Sequence, residues 1–394
     1  EIASGDWSSD VCSSDLHLFI TNEHLTPSVK DYLQRVNTTY HPYDGVTAFL
    51  QQAPQNEHSF LYAFNINYAF AELISEACIG SWTPEHGLSP ITSWRAHKNE
   101  AEIAGFRRAM QHDGVAMVRF RRELDEKVAD GSINQETEWS IAERLEEIRA
   151  EHPEYRGLSF ATIAGYADNG AVVHYEATAE DHATLSSKSF LLLDSGAHYV
   201  SGTTDITRTI PLGVLSDEEK KAYTLVLKGM IQLSMAHFPA GTTGLALDFA
   251  ARQSMWREGY DFGHGTGHGV GSHLCVHEGP HQIRKDRRAA TEVPFQVGMT
   301  VSNEPGIYVA DKFGVRLENV LVAQPAQQTP FGNFLKFETL TLCPLDLGPI
   351  VVEMLEPSER QWLNAYHEVV RTELLPLLSD EKDKEWLLQA TKAL

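Results

Sequence analysis

The chain has 394 residues, 42% of them hydrophobic and 22% charged, an ordinary soluble-protein balance with length for two domains. Its 32 Lys+Arg against 54 Asp+Glu give a net charge of −22, which argues against nucleic acid or an anionic membrane as partner. No apolar run reaches the roughly eighteen residues of a bilayer span, and four cysteines without paired spacing (Cys12, Cys78, Cys275, Cys343) point to a reducing, cytoplasmic compartment.

Residues 1–16 are dense in Ser and Asp and have neither helical nor strand periodicity, nor the basic start and apolar centre of a signal peptide. Residues 6–16 match the translation of a common sequencing-adapter read, so this segment is expected to be an assembly artefact that adds nothing to the fold. Residues 17–90 follow, with an aromatic-rich stretch from Phe60 to Phe70, and end in the Pro- and Gly-containing run Thr83 to Pro90, a candidate domain boundary.

From Lys98 to about Arg122 a charged, amphipathic pattern predicts a long helix. A second is expected over 135–150, with Ile141, Leu145 and Ile148 on one face. A third opens at Ser216, which with Glu219 makes a capping box, and runs to about His237. Others are expected over 244–258, closed by Gly259, and over 358–377. Strands are expected at Ala171 to Tyr175, Phe190 to Leu193, Thr204 to Ile210, Gly298 to Ser302 and Val315 to Val322. Helices beside a mainly antiparallel sheet make the fold class α+β.

Two acidic hairpins resemble each other, Asp194 to Asp205 and Glu304 to Glu318. Each of these carboxylates sits in or at the edge of a strand expected to be buried. Four buried acids need cations, and Arg208 and Arg316 cannot neutralise them all, which points to bound divalent metal. Between the hairpins lies Gly263-His264-Gly265-Thr266-Gly267-His268-Gly269-Val270-Gly271. Alternating glycine rules out a helix, and an extended path puts His264 and His268 on one face. His277 follows shortly after, and His174 is expected to end a strand. The stretch lacks both phosphate-loop patterns and the HExxH zinc motif, and four carboxylates favour a hard, oxygen-preferring ion.

These motifs, together with Leu193-Asp194-Ser195-Gly196, Thr204-Asp205-Ile206-Thr207-Arg208-Thr209, Val276-His277-Glu278-Gly279-Pro280, Asn303-Glu304-Pro305-Gly306 and Arg316-Leu317-Glu318-Asn319, resemble the creatinase/aminopeptidase P metallopeptidases. The likeness is greatest to their cytosolic aminopeptidase P branch. It covers 91–394 in register and implies a pita-bread catalytic domain, a curved and mainly antiparallel sheet covered by helices. Residues 17–90 are then expected to be part of a creatinase-type N-terminal domain. The resemblance implies two divalent ions, Mn²⁺ by ligand hardness, held by Asp194, Asp205, His268, Glu304 and Glu318. It also implies that Asp205 and Glu318 bridge the ions, that Glu304 moves a proton, and that His174, His264 and His277 line the cleft as catalytic histidines. Tyr308 and Arg316 fall where family members shape the substrate pocket. The implied substrates are peptides with proline second, and the implied assembly is a homodimer. A dipeptide-restricted prolidase and a non-catalytic peptide-binding relative are the alternatives; the latter would lack ligands, and none is lacking.

Overall fold

The computed structural model describes residues 16–51, 58–63, 66–77, 82–87, 90–273 and 275–394. It divides into two compact units, Glu1–Trp94 and Arg95–Leu394. The segment 1–16, expected to add nothing to the fold, lies outside the described residues except at Leu16. Among the described residues no helix is long and apolar enough to cross a membrane.

In the first unit, strands His17–Ile20 and Thr39–Pro42 pair in parallel, as do His58–Ala63 and Trp82–Gly87. The Thr83 to Pro90 run is therefore not a connector. Most of it is strand, and the division between units falls at Trp94/Arg95. Of the aromatic-rich stretch, Ile66 and Phe70 are half-buried and Tyr68 is 78% exposed, while the side chains of Phe60, Leu61 and Phe64 lie outside the described residues.

The second unit opens with helix Glu100–Asp130, eight residues longer at its end than the sequence pattern suggests. Asn99 and Glu102 form its capping box, and Gly131, at φ 82°, ends it. Helices Glu138–Ala150, Asp217–Ser234, Gly244–Arg257 and Pro357–Leu374 follow, with Asp217–Ser234 capped by Ser216 and Glu219. A terminal helix, Glu381–Ala390, was not evident from the sequence.

Two antiparallel sheets carry the site. In one, Phe190–Ser195 lies between Ile163–Tyr166 and Ile206–Pro211. Its side chains alternate between two cores: Phe190 packs with Tyr223 and Phe313, whereas Leu191 and Leu193 join Phe120 and Leu145 under the first two helices. In the other, Thr300–Asn303 pairs with Asn319–Thr329, which continues through Gly332–Thr339 to His237–Pro239. The two acidic hairpins are built alike. Each strand pair encloses a smaller hairpin, Ala197–Tyr199 with Gly202–Thr203 in the first and Gly306–Val309 with Phe313–Arg316 in the second.

Two expected strands are corrected. Residues 171–175 do not form one: Ala167–Ala171 is a 3-10 turn and the chain then runs irregularly. There Gly170 lies against Gly165 and Gly314, so closely that a β-carbon on Gly314 would sit 1.7 Å from the Gly170 carbonyl oxygen. This contact overrides the strand preference of Val172 and Val173. Val315 to Val322 is interrupted at Leu317 and Glu318, where the Glu318 amide leaves its own ladder and donates to the Thr207 carbonyl at 3.0 Å.

Candidate metal centre

Strand ends deliver the acids to one place. Asp194 sits one residue before the end of Phe190–Ser195, and Asp205 directly precedes Ile206–Pro211. Glu304 directly follows Thr300–Asn303, and Glu318 directly precedes Asn319–Thr329. The register matches Asp194 with Thr207 and Asn303 with Asn319, so each hairpin opens its acids toward the same cavity. The histidine stretch crosses beside them. Only Gly267–His268 of it is strand, paired with Gln282–Ile283 and laid against Thr300–Asn303. A β-carbon at Gly267 would lie 1.9 Å from the Ser302 carbonyl oxygen, so glycine is what allows this approach.

The cavity measures about 520 Å³ and is lined by Asp194, Asp205, His268, Glu304, Glu318, His174, His264, His277 and Arg316. Tyr308 stands behind this lining and bonds to both His264 and Arg316. One ligand-type atom from each of Asp205, His268 and Glu318 fits within 4.8 Å of the other two. The His268 Nε2 lies 3.4 Å from Asp205 Oδ2 and 3.4 Å from Glu304 Oε1. Asp194 accepts from Arg316 at 2.7 Å through Oδ2, while its buried Oδ1 has no hydrogen-bond partner.

Burial first, and then the neighbouring acids, push Asp205 and Glu318 well above the usual carboxylate range. Burial likewise pushes Glu304 up to about 8, against the opposing pull of Arg316. Burial lowers His268 and His264 to about 3, so both imidazoles are neutral. Their tautomers follow from their partners. The Nδ1 of His268 faces the Gly269 carbonyl at 3.0 Å, and a carbonyl only accepts, so Nδ1 carries the proton and Nε2 presents a lone pair to the acids. His264 is set in the same way by the Gly265 carbonyl at 2.7 Å; its Nε2 accepts from the Tyr308 hydroxyl at 2.8 Å, and that oxygen accepts from Arg316 at 2.8 Å.

An imidazole lone pair and carboxylate oxygens thus converge; among the described residues Arg316 donates to Asp194 at 2.7 Å, and Glu318 and Glu304 accept only from the Thr207 and Ser302 hydroxyls, at 2.8 and 3.0 Å. That arrangement needs cations, and the donor set fits them: four carboxylates and one neutral imidazole suit hard divalent ions. His277 is exposed at the rim, its ring edge-on to His268 with centroids 4.2 Å apart. His174 is also exposed at the rim, but on the irregular loop rather than on a strand.

Several cavity residues were not singled out from the sequence. Arg284 and Glu278 both line the cavity. Glu278 is buried and bonds Lys98 and Arg95, each at 2.5 Å. Its own amide donates to the Gly269 carbonyl at 2.7 Å, tying the rim loop to the histidine stretch. The spacing of Lys98 and Glu278, 180 residues apart, gives no local signal.

A curved array of antiparallel strands under helices, with two like hairpins opening their acids to one cavity, defines a pita-bread domain around a candidate metal centre. The chain belongs to metallopeptidase family M24, whose family model matches residues 104–325, with the C-terminal region of that peptidase family matching 333–394 and a creatinase/prolidase N-terminal domain matching 9–102. A probable Xaa-Pro aminopeptidase P of Laccaria bicolor is 39% identical over 386 residues, covering 96% of this chain and 59% of the relative. Aminopeptidase P1 of Lotus japonicus is 43% identical over 326 residues, 77% of this chain and 49% of the relative. The X-prolyl aminopeptidase of Caenorhabditis elegans, described as a cytosolic enzyme with a di-nuclear active site, superposes with a TM-score of 0.87 at 32% identity, covering 96% of this chain and 62% of that one. The chain therefore spans less than two thirds of the length of these relatives.

Proposed function

We propose that this chain acts as an Xaa-Pro aminopeptidase of the aminopeptidase P type, releasing the first residue from peptides whose second residue is proline. The carrying observation is the convergence of the His268 lone pair with Asp205, Glu304 and Glu318 in one cavity, where among the described residues no Lys or Arg forms an ion pair with these three acids. In this reading Asp194, Asp205, His268, Glu304 and Glu318 would hold two divalent ions, Mn²⁺ by the hardness of the set. The bound ions would supply a water of lowered pKa and charge stabilisation for the tetrahedral intermediate. Glu304, already inclined to hold a proton, carries protons at the reacting bond. Arg316 fixes both Asp194 and Tyr308, and through Tyr308 it orients His264, so these three act as one unit beside the metal site. His174 and His277 face the substrate from the rim. The names of the relatives support the substrate class, and the description of the worm enzyme supports a cytoplasmic setting.

The test is hydrolysis of Xaa-Pro-Yaa tripeptides by metal-stripped protein with and without Mn²⁺. Mn²⁺-dependent release of the first residue is expected. Cleavage of Xaa-Pro dipeptides alone would make the chain a prolidase, and no cleavage of either would refute the reading.

A homodimer through the catalytic unit belongs to the same proposal. Phe249 and Trp256, on helix Gly244–Arg257, are 49% and 43% exposed with ring centroids 5.8 Å apart, an apolar pair suited to an interface. Light scattering that gave 43.9 kDa, one chain's mass, across a concentration series would refute it.

A further inference from the structure

His174 needs an anchor that its own surroundings do not supply. It stands exposed at the cavity rim on a loop without strand pairing, and among the described residues no hydrogen bond holds its ring. The loop's fixed points lie on either side of it, and they meet at one side chain, Glu138.

Glu138 is fully buried at the first turn of helix Glu138–Ala150. Among the described residues no Lys, Arg or His forms an ion pair with it. Its oxygens instead accept from the Tyr166 amide at 2.6 Å, the Ala183 amide at 2.7 Å, the Tyr175 hydroxyl at 2.8 Å, and the Asn169 side-chain amide at 3.0 and 3.2 Å. An uncompensated buried carboxylate would be costly. Here the lone pairs are filled by neutral donors, and the helix N-terminus adds its positive end. These donors are not neighbours in the chain. They are the start of the loop (Tyr166, Asn169), the residue after His174 (Tyr175) and the loop's return (Ala183). Asn169 and Tyr175 also bond each other at 3.0 Å, which closes the bracket around residues 170–174. The helix backbone reinforces the return, because the Glu138 amide donates to the Ala183 carbonyl at 3.0 Å.

We propose that Glu138 is a positioning residue for the peptidase reaction: its carboxylate gathers both ends of the 166–183 loop and so holds His174 at the cleft. Glu138 does not line the cavity, so its effect on the reaction passes through His174. This inference rests on the peptidase reading of the site for its kinetic part. The loop anchoring itself stands apart from that reading.

The test is a double-mutant cycle between Glu138→Gln and His174→Ala in the Mn²⁺-loaded full chain, with kcat, KM, metal content and hydrogen exchange of residues 166–183 measured throughout. The Gln side chain keeps the shape but sets an N–H₂ against donors. Glu138→Gln should lower kcat at least about tenfold, leave metal content unchanged and speed exchange in the loop. In the His174→Ala background the same change should cost less than about twofold, because the group it positions is gone. Equal losses in both backgrounds would mean a general structural role and overturn the proposal, as would an unchanged kcat in the single variant. If Glu138→Gln does not fold, Tyr175→Phe, which removes one donor only, carries the same cycle with a smaller expected loss. If the wild-type chain cleaves no Xaa-Pro peptide, the function above fails, and the anchoring is then decided by exchange alone: faster exchange in the variant supports it and unchanged exchange refutes it.

Discussion

Thr207 and Glu318 join the two acidic hairpins directly beneath the candidate metal centre: the Thr207 hydroxyl donates to Glu318 Oε2 at 2.8 Å, and the Glu318 amide donates to the Thr207 carbonyl at 3.0 Å. The two bonds run in opposite directions between the same two residues, so Glu318 is fixed in both backbone and side chain. Replacing Glu318 by Ala should remove bound metal and activity together, because a carboxylate proposed to hold the ions is lost. Elemental analysis of the purified variant checks this; two ions per chain would remove Glu318 from the ligand set. Thr207→Val should keep the metal but loosen Glu318, lowering metal affinity by about 10–100-fold, the usual cost of losing a group that orients a ligand.

His264 is proposed to act on the reaction without binding metal. Its Nε2 accepts from Tyr308 and its Nδ1 donates to Gly265. His264→Ala should lower kcat by about 10²–10³-fold with metal content intact, the scale of losing one preorganised polar group. Tyr308→Phe should lose less, because His264 stays in place through Gly265. Loss of metal in the His264 variant would make this residue a ligand and break the scheme.

Metal removal should make stability pH-dependent in one direction. Burial raises Glu304 from the ordinary 4.5 to about 8 and lifts Asp205 and Glu318 well above their usual range. Folded pKa values above the unfolded ones mean that the metal-free folded state holds extra protons. Their stabilising effect is present at low pH and is lost as pH rises through the folded values. Metal-stripped protein should therefore melt at falling temperature from about pH 5 to about pH 8, and the melting-temperature gain from added Mn²⁺ should grow over the same range. Glu304→Gln should flatten the slope. A Tm of stripped protein that holds level or rises across this window would refute the account. Titration calorimetry in buffers of different ionisation enthalpy should also show protons released as metal binds, with His268 contributing none because it is already neutral.

Residues 1–16 are proposed to be foreign to the protein on the adapter match of residues 6–16, although the creatinase/prolidase N-terminal family model begins at residue 9, inside this run. Deleting it should leave the melting temperature and peptidase activity unchanged. A clear drop in either would show the segment to be native.

What could be read from the sequence was what short spacing encodes. The histidine stretch and the four acids stand in runs where a few neighbouring residues set the backbone path, and the cavity collects all of them. The capping box at Ser216 and Glu219 is equally local, and it forms as read. The His174 loop was misread as strand because Val172 and Val173 favour strands, while the contact that prevents one, Gly170 against Gly314, spans 144 residues of sequence. Glu138 gave no signal, since an acid in a helix's first turn is unremarkable until its donors on a distant loop are known. The same holds for Lys98 and Glu278, whose meeting depends on the assembled fold.

The absence of a side chain at Gly267 bears on how this protein can vary. A backbone carbonyl fills the space where any other residue would begin, so no accommodating shift is possible without moving the strand that carries Glu304. Gly263, four positions earlier, has open space around it. Tolerance to mutation should therefore change abruptly within a single short motif. A saturation scan would find position 267 closed to every replacement and position 263 open to many. Drift in this lineage would be channelled to Gly263, leaving the seat of His268 frozen.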